Sequence, residues 1–395
     1  MKKSNIYIVD STLREGLQTA GIYLTVDEKI ELIKLIDSAK IPFIEIHYSE
    51  EEFEKIQNIK LENSELLPLI FMNKNMVESL KKRGKIISKI VFTFPIGKRF
   101  VKAFLGRNDY EMYLKSVIDF IDMLVKKFDI FVAISDSFNF DEVKNIKRMI
   151  EIFLNLKVKA VILSDSRGIF TPIEVKEFIE NLEVYPEFLG VHFHNDFGMA
   201  TANAYVAASL GIKYITATIN GLGEKAGITP IHEIVPAVEL LLKKSTGINL
   251  KKLIELSIFL EKKTGIFNSP KSPVIGSEIF KFESGIPIKS LLYDPTQFNP
   301  IEPSLIGRKI EFLLGKYSGK HIIRRILREM GYKSELGDRD LKSIKNFIKE
   351  ETRLKSRYNK KLYEIIYDLW HFLLMNAGVE NEKICWWLEN VQKNT

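Results

Sequence analysis

At 395 residues, with 46% apolar and 28% charged content, the chain is long enough to bury one large core and to carry an appendage. Its net charge of +7 comes from lysines spread along helical faces and concentrated towards the C-terminal end, not from a basic block with interleaved aromatics; nucleic acid is excluded as a partner, and the excess is solvated surface or an attraction for anionic substrates. There is no run of about 18 apolar residues, the amino terminus lacks a signal pattern, and the single cysteine, Cys385, excludes an internal disulfide and a cysteine-based metal site, so the expectation is a soluble cytoplasmic protein with no membrane partner.

Apolar runs then alternate with helical patterns. A first strand is predicted over 6–9 and gives way to the polar stretch 10–18. A helix over 26–38 follows, with Thr25 as its cap and Glu28 three residues on. Further strands are predicted over 43–46, 66–71, 90–94, 130–135, 160–164, 189–194 and 214–219. Helices are predicted over 75–82, 110–127, 140–156, 172–182, 200–210 and 231–243. This alternation predicts an α/β fold, a (β/α)8 TIM barrel over 1–265, with its active site at the carboxyl ends of the strands. From 268 to 303 proline and serine are frequent and periodic runs are few, which predicts a linker and a small irregular or helical subdomain over 266–335. A helical C-terminal subdomain is expected over 336–395, with helical patterns at 343–355 and 363–374. Trp370, His371, Phe372, Trp386 and Trp387 are read as core or subunit interface.

Chemistry gathers at the strand ends. His192 and His194 are two residues apart, so along a strand both rings point to one face. Two imidazoles and one carboxylate suit a divalent ion such as magnesium, manganese, zinc, iron or cobalt, with positions open for substrate. Arg14 supplies a fixed positive charge for an oxyanion. Each piece alone has a structural explanation, a surface ion pair or a satisfied strand histidine; their joint placement at strand ends points to a site. Other strand ends carry Glu45 and His47, Asp136, Asp165 with Ser166, and Asn220, where a lone carboxylate is as readily a cap or loop organiser. Asn195 and Asp196 are expected to cap the next helix and fix the histidine tautomers. The glycine-rich turn 221–227 lets backbone approach a ligand.

The run DSTLREGLQTAG (10–21), the run HFHND.G (192–198) and NGLGEKAGITP (220–230) resemble the signatures of the acyl-coenzyme A synthases grouped with homocitrate synthase, 2-isopropylmalate synthase and citramalate synthase. These sit within the metallolyase barrels that include hydroxymethylglutaryl-coenzyme A lyase, and the likeness covers roughly residues 4–265. The resemblance implies a divalent metal on Glu15, His192 and His194, with Arg14 and Glu15 catalytic. It implies substrate-binding positions at Arg14, Gln18, Glu45, Arg99, Asn139, Ser166 and Arg167. Glu15 and the run 226–230 lean towards homocitrate synthase, while Ile228 stands where many isopropylmalate synthases place an asparagine ligand.

The chain also departs from the family pattern. Arg99 stands near the usual histidine after the fourth strand, Asn139 at a usual arginine, and Asp165-Ser166-Arg167-Gly168 replaces Asp-Thr-Val-Gly. In the appendage, Phe282 and Pro287 occupy usual histidine positions, so no general base is assigned, and Gly-Lys-His-Ser-Gly has become Gly315-Lys316-Tyr317-Ser318-Gly319. The expected function is a metal-dependent Claisen condensation of acetyl-coenzyme A with a 2-oxo acid, 2-oxoglutarate favoured, in a homodimer whose tail reaches the neighbouring barrel. The alternatives are an isopropylmalate- or citramalate-type synthase, a carbon-carbon lyase or aldolase on the same barrel, and a non-catalytic regulatory homologue.

Overall fold

The computed structural model describes residues 5–82, 87–106, 109–294, 299–329 and 336–355. Cys385, the helix expected over 363–374 and the aromatic group at 370–387 lie outside them. The chain divides into two compact units, Met1–Gly276 and Ser277–Thr395.

The first unit is the predicted barrel. In chain order it runs β1 (Tyr7–Asp10), α1 (Val26–Ser38), β2 (Phe43–His47), α2 (Glu50–Ile56), β3 (Glu65–Ile70), α3 (Lys74–Lys82), β4 (Lys89–Pro95), α4 (Lys98–Leu105), α5 (Tyr110–Val125), β5 (Asp129–Ser135), α6 (Val143–Asn155), β6 (Ala160–Asp165), α7 (Pro172–Leu182), β7 (Leu189–Phe193), α8 (Ala200–Ser209), β8 (Tyr214–Ala217), α9 (Ile231–Pro236) and α10 (Lys252–Thr264). Each strand pairs with the next, and β8 pairs in parallel with β1, closing the barrel. Helix starts follow local chemistry. Thr25 and Glu28 form a reciprocal capping box at α1, and Thr171 with Glu174 does the same at α7, where Pro172 fills the first turn.

The structure departs from the expected elements in several places. α2, α4 and α10 are additional helices. The pattern over 140–156 opens as a 3-10 turn, Phe140–Glu142, before α6. The pattern over 231–243 breaks at Pro236, which has no N–H to donate, and widens into a π-turn, Ala237–Leu241. β7 stops at Phe193, because His194 leaves the ladder and bridges Ile228 on the loop after β8.

The barrel interior is graded from apolar to polar. Val9, Phe43, Leu67, Leu69, Val91, Phe131, Ala133, Ala160, Ile162 and Tyr214 pack as one cluster from alternate positions of the strands. Tyr214 needs Gly190 beside it: a Cβ there would stand 2.9 Å from that of Tyr214. Two residues further along, the same faces carry Glu45 on β2, His192 on β7 and Thr216 on β8. Polar groups therefore collect at the carboxyl ends.

The second unit contains β9 (Lys281–Phe282), α11 (Gly285–Tyr293), β10 (Glu311–Phe312), which pairs in parallel with β9, α12 (Lys320–Glu329) and α13 (Asp338–Lys355). Ile288, Leu314, Ile322, Ile323, Ile326, Leu341, Ile344 and Ile348 form its core. Among the described residues no helix is long and apolar enough to cross a membrane.

Candidate active site

Beyond β1 the chain turns back on itself, with the amides of Arg14 and Gly16 both donating to the Ser11 carbonyl at 3.0 and 3.1 Å. This turn sets two neighbours, Arg14 and Glu15, over the polar end of the barrel. The Arg14 guanidinium donates to Glu15 Oε2, and its Nε lies 3.1 Å from Glu45 Oε1. Ser11 Oγ donates to Glu45 Oε2 at 2.5 Å. Burial works against the Arg14 charge, but the carboxylates of Glu45 and Glu15 outweigh it and hold its pKa above the ordinary value.

The histidines converge as expected. His192 Nε2 and His194 Nε2 are 3.4 Å apart, and ligand atoms of Glu15, His192 and His194 all lie within 4.8 Å of one another. Two imidazole nitrogens about 2.0–2.1 Å from one ion at a tetrahedral angle stand about 3.4 Å apart, so the pair has the spacing a shared ion requires. Burial, aided by the other histidine and Arg14, pushes His192 well below the usual imidazole range; burial likewise lowers His194. Both rings are thus neutral at pH 7, the form that binds a metal.

The expected tautomer-fixing contacts are not made. Asn195 Oδ1 accepts from the Ala200 amide at 3.1 Å, a helix cap, and Asp196 pairs with Lys225 at 2.5 Å. Both histidine Nδ1 atoms are buried without a partner among the described residues.

The loop after β8 is tied across the seam to the loop after β1. The Ile219 amide donates to Thr12 Oγ1 at 2.9 Å, and Thr19 Oγ1 accepts from the Gly223 amide at 2.9 Å while donating to its carbonyl at 3.0 Å. The Glu224 amide donates to Glu15 Oε1 at 3.2 Å, fixing the carboxylate from its far side.

The remaining expected positions form a separate group or stand alone. Ser166 Oγ accepts from the Asp136 amide at 3.0 Å, and Arg167, its side chain 55% exposed, places Nε 3.4 Å from Asp136 Oδ1. Burial raises the Asp136 pKa against the lowering effect of Arg167. The loop carrying Ser166 and Arg167 rests on His194: a Cβ at Gly168 would lie 3.1 Å from that of His194, and φ there is +64°. Asp165 organises this loop, accepting from Gly168 and Phe170. Asn139 caps the turn before α6 by accepting from the Asp141 amide. Gln18 and Arg99 are exposed, Arg99 on α4.

The pairings of Ser11, Thr19 and Lys225, and that of Asp136 with Arg167, carry no signal in the sequence, because each joins residues far apart along the chain. The state of Asp10 depends on its burial in the closed barrel, which no local pattern shows. It is fully buried, accepting from the Thr12 amide and hydroxyl, and burial raises its pKa from 3.8 to about 7. A carboxyl whose folded pKa exceeds its unfolded one makes the fold lose stability as pH rises between the two values. The parent is expected to lose up to about 4 kcal/mol from this group between pH 4 and 7. Asp10→Asn keeps an acceptor for the Thr12 amide and should flatten that slope in denaturant titrations at pH 4, 5.5 and 7; an unchanged slope rules the assignment out.

The HMGL-like family profile matches residues 5–260, and a profile described as homocitrate synthase post-HMGL domain-like matches 274–356. The chain belongs to the HMGL-like family. It is 30% identical over 338 residues to a probable 2-isopropylmalate synthase of Ignicoccus hospitalis, covering 84% of each chain. It is 29% identical over 370 residues to a homocitrate synthase of Methanopyrus kandleri, covering 91% of each. The relatives are named as synthases, and this HMGL-like chain is an enzyme of that acyltransferase kind. In fold it resembles the HMG-CoA lyase of Bacillus subtilis, with a TM-score of 0.61 at 18% identity, over 70% of this chain and 98% of that one.

Proposed function

We propose that this chain condenses acetyl-coenzyme A with a 2-oxo acid, 2-oxoglutarate first, at a divalent ion held by Glu15, His192 and His194. The supporting observation is the buried triad beside Arg14 in a chain that continues into a homocitrate synthase post-HMGL domain. The lyase likeness spans nearly all of that lyase but leaves 30% of this chain without a counterpart, which speaks against a lyase.

When bound, the ion supplies Lewis-acid polarisation of the ketone. Arg14 has five N–H donors in a fixed fork, of which Glu15 and Glu45 engage part. The others are free to meet the oxygen on which charge develops. The acetyl methyl, once deprotonated, attacks the keto carbon; the new carbon-carbon bond forms as the carbonyl π pair moves to oxygen, where Arg14 stabilises it. Hydrolysis of the thioester then releases the coenzyme A thiol. The test is to incubate metal-loaded protein with acetyl-coenzyme A and a panel of 2-oxo acids while following free thiol. No release with any member of the panel overturns the proposal.

A dicarboxylic 2-oxo acid needs a second cation, because Arg14 is held at the keto end by two carboxylates. We assign that role to Arg167, which is loosely paired with Asp136 on a loop packed against His194. Arg167→Ala is expected to weaken 2-oxoglutarate by about 1.5–3 kcal/mol, the size of a charge-assisted bond, and pyruvate much less. Steady-state kinetics with both acids decide it, and an equal loss for the two removes Arg167 from the site.

A further inference from the structure

Helix α4 carries three cations that no carboxylate meets among the described residues. Lys102 lies four residues after Lys98 and three after Arg99, so it neighbours both on the helix surface, and all three are exposed, while Val101 is buried. Among the described residues none of the three has an ion-pair partner. Several other lysines are matched, among them Lys29 with Glu52, Lys89 with Glu65, Lys126 with Asp122 and Lys147 with Glu183. An uncompensated cluster of like charges on one and a half turns repels itself, and an anion from outside relieves that repulsion.

The cluster stands on the rim of the active site. α4 leaves the carboxyl end of β4 through Gly97, where a Cβ would lie 2.9 Å from Asp136 Oδ2. Asp136 is joined to Ser166 and Arg167, and the next residue, Gly168, rests on His194. Beside α4 a shallow cleft of about 540 Å³ is lined by Lys98, Asp109, Tyr110 and Glu111, with Lys98 Nζ 5.3 Å from the centre of the Tyr110 ring. The acids in this cleft are engaged elsewhere. Asp109 caps α5 by accepting from the Met112 amide, and Glu111 pairs with Arg148 at 3.3 Å.

We infer that Lys98, Arg99 and Lys102 bind the phosphates at the nucleotide end of coenzyme A, leaving its long pantetheine arm to carry the thioester to the Glu15–His192–His194 triad. The inference rests on the proposed use of acetyl-coenzyme A. The 3′-phosphate and the diphosphate put several negative charges close together, and three flexible side chains on one exposed face can follow them.

The test uses the full-length, metal-loaded protein and two probes, coenzyme A and adenosine 3′,5′-bisphosphate, by calorimetry, alongside kinetics with acetyl-coenzyme A and acetyl-dephospho-coenzyme A. The triple variant Lys98→Ala, Arg99→Ala, Lys102→Ala is expected to bind both probes roughly tenfold or more weakly. Its KM for acetyl-coenzyme A should rise in step. The parent should prefer the 3′-phosphorylated thioester, and the variant should lose that preference. Arg99→Lys, which keeps the charge, should bind like the parent. If the parent binds both probes and the triple variant binds them equally well, this site is overturned and the proposed function stands. A parent that binds neither probe overturns the two together.

Discussion

His192→Ala is expected to purify without its ion and to turn over about a thousandfold more slowly than the parent. The ion is asked to supply several kcal/mol of charge stabilisation in the transition state, and each 1.4 kcal/mol is about a factor of ten. Glu15 and His194 alone are two donors, fewer than the three that catalytic sites of this ligand type keep. The barrel itself should remain folded, since its apolar interior lies in the residues below His192 and in the layer beneath the helices. Elemental analysis and circular dichroism on the same preparation separate these claims. If the variant keeps the parent's metal content, the ligand set is wrong.

Arg14→Ala is expected to cost about 3 kcal/mol of stability, read by denaturant titration of the metal-free protein, and to lower turnover of the metal-loaded one. Glu15 and Glu45 are 3% and 2% exposed, and removing the guanidinium between them leaves two buried carboxylates without their cation. Arg14→Ala combined with Glu45→Gln should recover part of the loss, because one of the stranded charges is gone. Arg14→Lys should recover stability better than activity: it restores the charge but not the planar fork that meets two groups at once. A loss below about 1 kcal/mol for Arg14→Ala would mean that water has replaced the guanidinium and that the cluster is not dry.

The strands and most helices were legible because each carries its own period. The unbroken apolar run in 130–134 and the capping box at Thr25 and Glu28 need no distant partner to be recognised. The same holds for His192 and His194, whose two-residue spacing sets both rings towards one point although β7 itself ends at Phe193. α2 was not legible, since only Phe53 and Ile56 are buried in its seven residues and three glutamates open it. α4 is a short basic segment in which, among the described side chains, only Val101 is buried, too little to set a period. Within the site, Glu45 appeared as one more polar strand end. Its bonds to Arg14 and Ser11 exist because β1 and β2 are neighbours, which no local pattern encodes. Arg167 finds Asp136 in the same way, across the ends of β5 and β6.

The ties between the first and last loops of the barrel also impose an order in time. Thr12 and Ile219, Thr19 and Gly223, and Glu15 and Glu224 are 207, 204 and 209 residues apart in the chain. During synthesis, Arg14 and Glu15 leave the ribosome long before anything can hold them in place. Contacts of such span form late and slow the folding of the domains that depend on them. Capture of the ion is therefore expected among the last events of maturation, after β8 has docked on β1. A nascent chain halted before residue 214 would carry every ligand of the triad and still have no means of keeping Glu15 beside the histidines.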